Sequence, residues 1–512
     1  MLTHAESRSG TRPTKTAKIT KLCGLGVLSE LYVGAFTLVV IATASACRDS
    51  APAKTEAPAA STEAPRVQYM SYEEVRPIVA AFAGSVPPAL RANAGASLEA
   101  AWPRWAKAQD TAIRARLTQG DEDSVVNFWL YGTTFTQLPR ATRADMARRG
   151  ADDTEKLLIA RLDDLVEALA NPQGNERLQF VRQVVERHGI DVMTEEGKDR
   201  ASELLVGMRA RMIGEANRHD LEAAAAARRA RGAALNIFST IYRERGLSSD
   251  TSLAAGFALD RALAALAAKG GLGQPIRRVA IIGPGLDFTD KAEGYDLYPP
   301  QTIQPFAVID SLVRLKLAAP SELRLTTFDL SPRVNDHLRN AVQRARGGDG
   351  YVLQLPLPRD DPSHEWEPAL ESYWTECGNA IGVAGEAVVV PPSAGRVDVR
   401  AVRIRPEIVA SITPQDLDIV VQRFAPLPDG ERFDLIVATN VLVYYGGFEQ
   451  ALALANVSAM LRPGGMFLTN YQVHPAPPLE SQAGLVTPVF WDRQKNGDTM
   501  FGYRYVESAR RQ

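Results

Sequence analysis

Two glycines, a distant carboxylate and an asparagine are the groups in this chain whose types and spacing can do chemistry together. The run Arg278-Val279-Ala280-Ile281-Ile282 is short, β-branched and apolar, and it ends in Gly283-Pro284-Gly285-Leu286-Asp287. Glycine lets the backbone turn sharply and approach a ligand with no Cβ in the way. A second apolar run, Leu323 to Phe328, ends at Asp329, and a later one, Phe433 to Ala438, ends at Thr439-Asn440. A carboxylate in the position of Asp329 can accept hydrogen bonds from two ribose hydroxyls, so the set describes a nucleoside site. Two commoner nucleotide sites are excluded. A dinucleotide fingerprint needs a third glycine, where Phe288 stands, and an acid about 20 residues on; Asp329 lies more than twice as far away. The phosphate-cradling GxxxxGK[ST] run does not occur.

Such residues need strands to hold them at one edge. Helical periodicity follows the first run, at Ile303, Phe306, Ile309 and Val313, and the last, from Phe448 to Leu461. Arg462-Pro463-Gly464-Gly465 then reads as a turn before a strand from Met466 to Thr469. Strands alternating with helices predict a buried, mostly parallel sheet that binds ligands beyond the carboxyl ends of its strands. Leu485 to Trp491 and Thr499 to Val506, joined through Asn496-Gly497, predict a closing antiparallel hairpin. The fold expected for residues 271–512 is therefore α/β, a Rossmann-like mostly parallel sheet with a C-terminal antiparallel hairpin. Leu417 to Gln422 reads as a further strand, ending at Arg423. Phe288 to Thr302 is a long loop on the site side. Its Tyr295, Asp296 and Tyr298 either close over substrate or anchor a solvated loop. An insertion from Pro358 to about Arg405, with His364, Trp366, Tyr373, Trp374 and Cys377, reads as a flap or an added hairpin.

Residues 66–270 are helical in pattern. Leu158, Leu162, Leu165 and Leu169 form an amphipathic stripe, Asn171-Pro172 ends that helix, and Gly189 stands where a helix C-terminus needs it. Trp102, Trp105, Trp129 and Tyr131 read as core. Residues 47–65 contain too little apolar surface to offset ordering entropy and form a flexible Ala/Pro-rich linker. Residues 1–46 combine Arg8, Arg12, Lys15, Lys18 and Lys21 with the uncharged LYVGAFTLVVIA and small residues before Cys47. That pattern is a signal peptide, with Cys47 as the lipidated residue of a bacterial lipobox, or an uncleaved membrane anchor. The expected location is membrane-associated, as an exported lipoprotein; the alternative is cytoplasmic.

Composition narrows the partners. Lys plus Arg number 58 and Asp plus Glu 60, a formal net charge of −2, so no global positive field draws the chain to nucleic acid. Only Cys377 of the three cysteines lies beyond residue 50, which excludes a disulfide framework and a multi-cysteine zinc site.

The segments VAIIGPGLDF, TTFDLSP, RFDLIVATNVLVYY and AMLRPGGMFLTN resemble, in order, the motifs of class I S-adenosylmethionine-dependent methyltransferases over roughly Pro275 to Asn470. The resemblance implies S-adenosylmethionine as cofactor and a small-molecule or protein methyl acceptor. It places the loop of Gly283 and Gly285 at the methionine part, with Asp287 as a further cofactor-binding candidate, Asp329 on the ribose and Asn440 beside the methyl; two positions depart from the family pattern, Asp287 where a third small residue is usual and Arg423 near where an acidic or polar residue commonly contacts the adenine amine. The sulfonium supplies an activated methyl, so no metal is required. A base is needed only if the acceptor must lose a proton, and His474, Tyr444, Tyr445 and Tyr471 are the candidates. Because this cofactor is cytoplasmic and the leader implies export, the alternative is a membrane-tethered binding protein that keeps the fold without turnover.

Overall fold

The computed structural model describes residues 66–82, 86–92, 98–229, 245–273, 275–288, 295–359, 365–473 and 479–507. The leader, the linker, His364 and His474 lie outside them. After β1 (Arg66–Tyr69) come α1 (Tyr72–Ala81), α2 (Pro88–Ala92), α3 (Leu98–Tyr131), α4 (Arg143–Arg148), α5 (Ala151–Leu169), α6 (Glu176–Arg187), α7 (Glu195–Arg229) and α8 (Leu253–Ala268). The predicted leucine stripe is buried along α5. The side chain of Asn175 caps α6 by accepting from the amides of Arg177 and Leu178, and Gly189, with φ 69°, follows its end. Trp102, Trp105, Trp129 and Tyr131 are buried.

The α/β part continues with β2 (Arg278–Ile282), α9 (Gln304–Arg314), β3 (Arg324–Asp329), α10 (Pro332–Arg346), β4 (Tyr351–Pro358), α11 (Pro368–Glu376), β5 (Gly382–Ala384), β6 (Val397–Ile404), α12 (Pro406–Val409) and β7 (Ile412–Asp416). It ends with β8 (Gln422–Ala425), β9 (Phe433–Ala438), α13 (Gly447–Met460), β10 (Leu461–Thr469), β11 (Leu479–Phe490) and β12 (Gly497–Tyr505). Seven strands form one sheet in the order β11-β12-β10-β9-β2-β3-β7. β7, β3, β2, β9 and β10 are parallel neighbours, while β12 runs antiparallel to both β10 and β11. The chain winds outward from β2 to β3 and β7, then returns to place β9 on the other side of β2. That reversal is the topological switch point beside which such sheets hold ligands.

Three sequence expectations change. Leu417 to Gln422 is not a strand: β7 ends at Asp416, and residues 417–421 are a buried turn. β7 lies at the sheet edge, where Pro414 and polar residues are tolerated, so its sequence ITPQD carries little strand signal. Arg423 belongs to β8, which pairs with β1, and there it forms an ion pair with Glu74. The insertion builds a three-stranded sheet, β4-β6-β5, with α11. Arg462 to Gly465 is an irregular stretch inside β10, where the register with β9 shifts between Leu461 and Met466.

Alternation along the strands buries both sheet faces. Val279, Ile281, Leu325, Leu435, Val437 and Leu468 pack with α8 and α9. Ala280, Ile282, Phe328, Ile436, Ala438 and Phe467 face the other way, against Val75 and Val79 of α1, Trp102 and Trp105 of α3, and Leu452 of α13. A third core joins the C-terminal half of α3 to α5, α6 and α7, and includes Phe288 from the loop after β2. Burial stabilises by about 1.5 to 3 kcal/mol for each large apolar side chain, so the helices and the sheet depend on shared surface. Among the described residues no helix is long and apolar enough to cross a membrane.

Candidate active site

The carboxyl ends of β2, β3, β7, β9 and β10 fall on one edge, which brings Gly283, Asp329, Asp416, Asn440 and Asn470 to a common rim. Gly283 and Gly285 have φ of 68° and 70°, values that strain any residue with a Cβ. Space also demands glycine at both positions. A Cβ at Gly283 would stand 2.7 Å from Val441 Cγ2, and one at Gly285 would stand 2.8 Å from the Ser249 carbonyl oxygen. The Leu286 amide donates to that same oxygen at 2.6 Å, so residues 249–251 lie as a strap against the loop.

Asp329 stands on the rim beside Gly283. Its Oδ1 accepts from the Ser331 amide at 2.8 Å, and Asn335 Nδ2 donates to its carbonyl at 2.9 Å. Burial pushes its pKa up to about 6, while the amides of Ser331 and Gly285 pull the other way. The Gly285 amide therefore lies beside the Asp329 carboxylate.

Asn440 is exposed and has φ 58°, a left-handed conformation that asparagine tolerates better than most residues. Its amide donates to Asn470 Oδ1 at 2.8 Å. Asn470 Nδ2 donates in turn to Asn440 Oδ1 at 2.7 Å and to Asp498 Oδ2 at 2.6 Å. Across the crevice, Gln304 Nε2 donates to Thr439 Oγ1 at 2.6 Å, tying the start of α9 to the end of β9.

Two candidates turn away from the rim. Asp287 is 4% exposed, and its Oδ2 accepts from Tyr298 Oη at 2.8 Å and Gln301 Nε2 at 3.1 Å. Burial raises its pKa. Its hydrogen bonds hold the loop together. Tyr445 is 2% exposed in the core beneath α13, and burial holds its hydroxyl pKa well above the ordinary value. Tyr444 is half-buried, with its carbonyl accepting from Arg116 Nη1 at 3.2 Å.

Where the loop after β2 is described, at residues 283–288 and 295–303, it packs against the protein. Tyr295, Asp296 and Tyr298 are all buried. Both carboxylate oxygens of Asp296 accept from the Thr133 amide at 2.8 Å, and the Thr134 amide and both hydroxyls add further bonds, so the loop docks at the end of α3. The guanidinium of Arg140 lies 4.0 Å from the centre of the Tyr295 ring.

The acids at and just beyond the end of β7 escaped the sequence reading because that strand was placed too late. Asp416 pairs with Arg114 of α3 at 2.7 Å. Asp418 is fully buried; its Oδ1 accepts from the Val420 amide at 2.9 Å, while Oδ2 has no hydrogen-bond partner among the described residues. Burial pushes its pKa up to about 7. An acid immediately beyond the true end of β7 was the available signal.

No described protein family and no curated protein matches this chain. Solved structures similar to it include the N-methyltransferase NodS from Bradyrhizobium japonicum WM9 in complex with S-adenosyl-L-homocysteine, at 17% identity over 49% of this chain and 88% of that one, with a TM-score of 0.24. The glycopeptide N-methyltransferase MtfA, complexed with S-adenosyl-L-methionine, is 10% identical over 49% of this chain and 93% of its own, with a TM-score of 0.21. The CurJ carbon methyltransferase is 11% identical over 85% of this chain and 99% of its own, with a TM-score of 0.24.

Proposed function

We propose that this chain is an S-adenosylmethionine-dependent methyltransferase. The observation that carries the reading is Asp329 at the end of the second parallel strand, facing the Gly285 loop beside the crevice between β2 and β9. Asp329 takes the ribose hydroxyls, the backbone of residues 283–286 faces the methionine part, and Asn440 lies beside the methyl. Asp418 suits the adenine amine, since its buried Oδ2, which has no partner among the described residues, lacks the donor that such a group brings. The cofactor, when bound, supplies a methyl on a positively charged sulfur that needs no further activation.

The chain itself has to align an acceptor and keep water out. The Asn440-Asn470-Asp498 string holds the acceptor side of the rim, and the strap at residues 249–251 covers the loop. Of the base candidates on described residues, Tyr444 and Tyr471 lie in half-buried positions near the ends of β9 and β10. Isothermal titration of residues 66–512 with S-adenosylhomocysteine tests the reading. Binding is expected, weakened by about 1.5 to 3 kcal/mol in Asp329→Ala, the scale of charge-assisted hydrogen bonds. No heat at high micromolar ligand with the unmutated protein overturns it.

A further inference from the structure

We infer that Arg177, on α6, is a positioning residue of the cofactor loop, reaching from the helical part of the chain to hold that loop in its binding shape. The inference rests on the reading of residues 283–286 as the cofactor loop. Arg177 is 2% exposed. Its Nε donates to the carbonyl of Phe288 and its Nη1 to that of Tyr298. Its Nη2 reaches the carbonyls of Asp287 at 3.1 Å and Tyr295 at 3.5 Å. Residues 287 and 288 belong to the limb that leaves β2, and residues 295 and 298 to the limb that returns toward α9. One guanidinium therefore pins the two limbs at their neck.

The chemistry of the group fits that task. A guanidinium presents five donors in a rigid plane and can serve several carbonyls at once, while an ammonium on a flexible stem cannot span them in the same geometry. The leaving limb is also fixed by its side chains. Phe288 packs 5.1 Å from Phe180 and 5.8 Å from Phe128, ring centre to ring centre, inside the helical core. Immediately upstream, Leu286 donates to the strap and Thr302 Oγ1 donates to the Gly285 carbonyl at 3.0 Å. A shift of the Asp287-Phe288 limb is thus transmitted within two residues to the backbone that faces Asp329. Displacements of about 1 Å at a positioning group already cost large factors in rate and affinity.

The test compares Arg177→Lys and Arg177→Ala with Arg400→Lys in the full chain. Arg400 also grips backbone carbonyls, those of Thr375 and Cys377, but it does so on β6, away from the cofactor loop. Each protein is titrated with S-adenosylhomocysteine at 10 °C after far-ultraviolet circular dichroism confirms folding, and its melting temperature is recorded with and without ligand. Arg177→Lys is expected to bind at least tenfold more weakly and to lose most of the ligand-induced rise in melting temperature. Arg400→Lys is expected to melt earlier but bind within twofold of the unmutated protein. If the unmutated protein is silent, the cofactor reading fails and takes this inference with it. If it binds and Arg177→Lys binds equally well, the inference alone fails. If neither Arg177 variant folds, Arg177 is a stability residue of the whole chain and the inference is likewise overturned.

Discussion

Asp329 carries opposite demands. Its burial beside the Gly285 loop pushes its pKa up to about 6, so the charged form that serves a ribose is costly to the unliganded fold. Because the folded value lies above the unfolded one, this group's contribution to stability is full below about pH 4 and is lost as pH rises through 6. Asp329→Asn is therefore expected to melt higher than the unmutated protein at pH 7.5 without ligand, and to gain little from added S-adenosylhomocysteine; differential scanning fluorimetry reads both. Affinity should run the other way with pH. Asp418, at about 7, and Asp329 both accept best as carboxylates, so titration calorimetry from pH 8 to pH 5.5 should show the dissociation constant rising as each is protonated. A flat profile would remove both carboxylates from the contact. Gly283, Gly285, Asp329 and Asn440 were readable from sequence because each follows an apolar run that had to be a buried strand. Asp287 reads from sequence as part of the glycine loop, whereas its partners Tyr298 and Gln301 come from the far limb of the same loop.

At the scale of elements, the loop between β2 and α9 joins two cores. Phe288 is 1% exposed and sits among residues of α3 and α6, so Phe288→Ala should lower the free energy of unfolding by about 3 to 5 kcal/mol. Urea denaturation checks it: the midpoint falls with the slope unchanged if the cavity alone is responsible. β2, β3, β9, α9 and α13 were legible because period-2 or period-3.6 burial leaves a matching sequence pattern. β7 was not, since an edge strand is covered on fewer sides and needs no continuous apolar run. The buried turn after it, Leu417-Asp418-Ile419-Val420-Val421, imitates a strand because it packs under α3 and α13.

For the whole molecule, the helices are a wall of the sheet. Trp102, Trp105, Val75 and Val79 cover the face that carries Ile282, Phe328, Ile436 and Phe467, and Trp102 Nε1 donates to the Met70 carbonyl at 2.7 Å to lock the cover in place. Residues 245–512 expressed alone should therefore expose that face, elute as aggregates in size-exclusion chromatography and bind a hydrophobic dye, while residues 66–512 stay monodisperse and dye-silent. A compact, dye-silent fragment would show that the sheet needs no such cover. The amino-acid sequence by itself determined the central strands β2, β3 and β9, the helices α9 and α13, and the rim residues that end those strands, because burial on a regular element repeats every two or three to four residues and is written locally. Only the tertiary structure decided that Arg177 meets the Asp287-Phe288 limb, that Asp296 docks at Thr133 and Thr134, and that Asp418 keeps an oxygen without a partner among the described residues. Those contacts join residues separated by more than a hundred positions, or depend on which side of an edge strand is covered, and no local period records either.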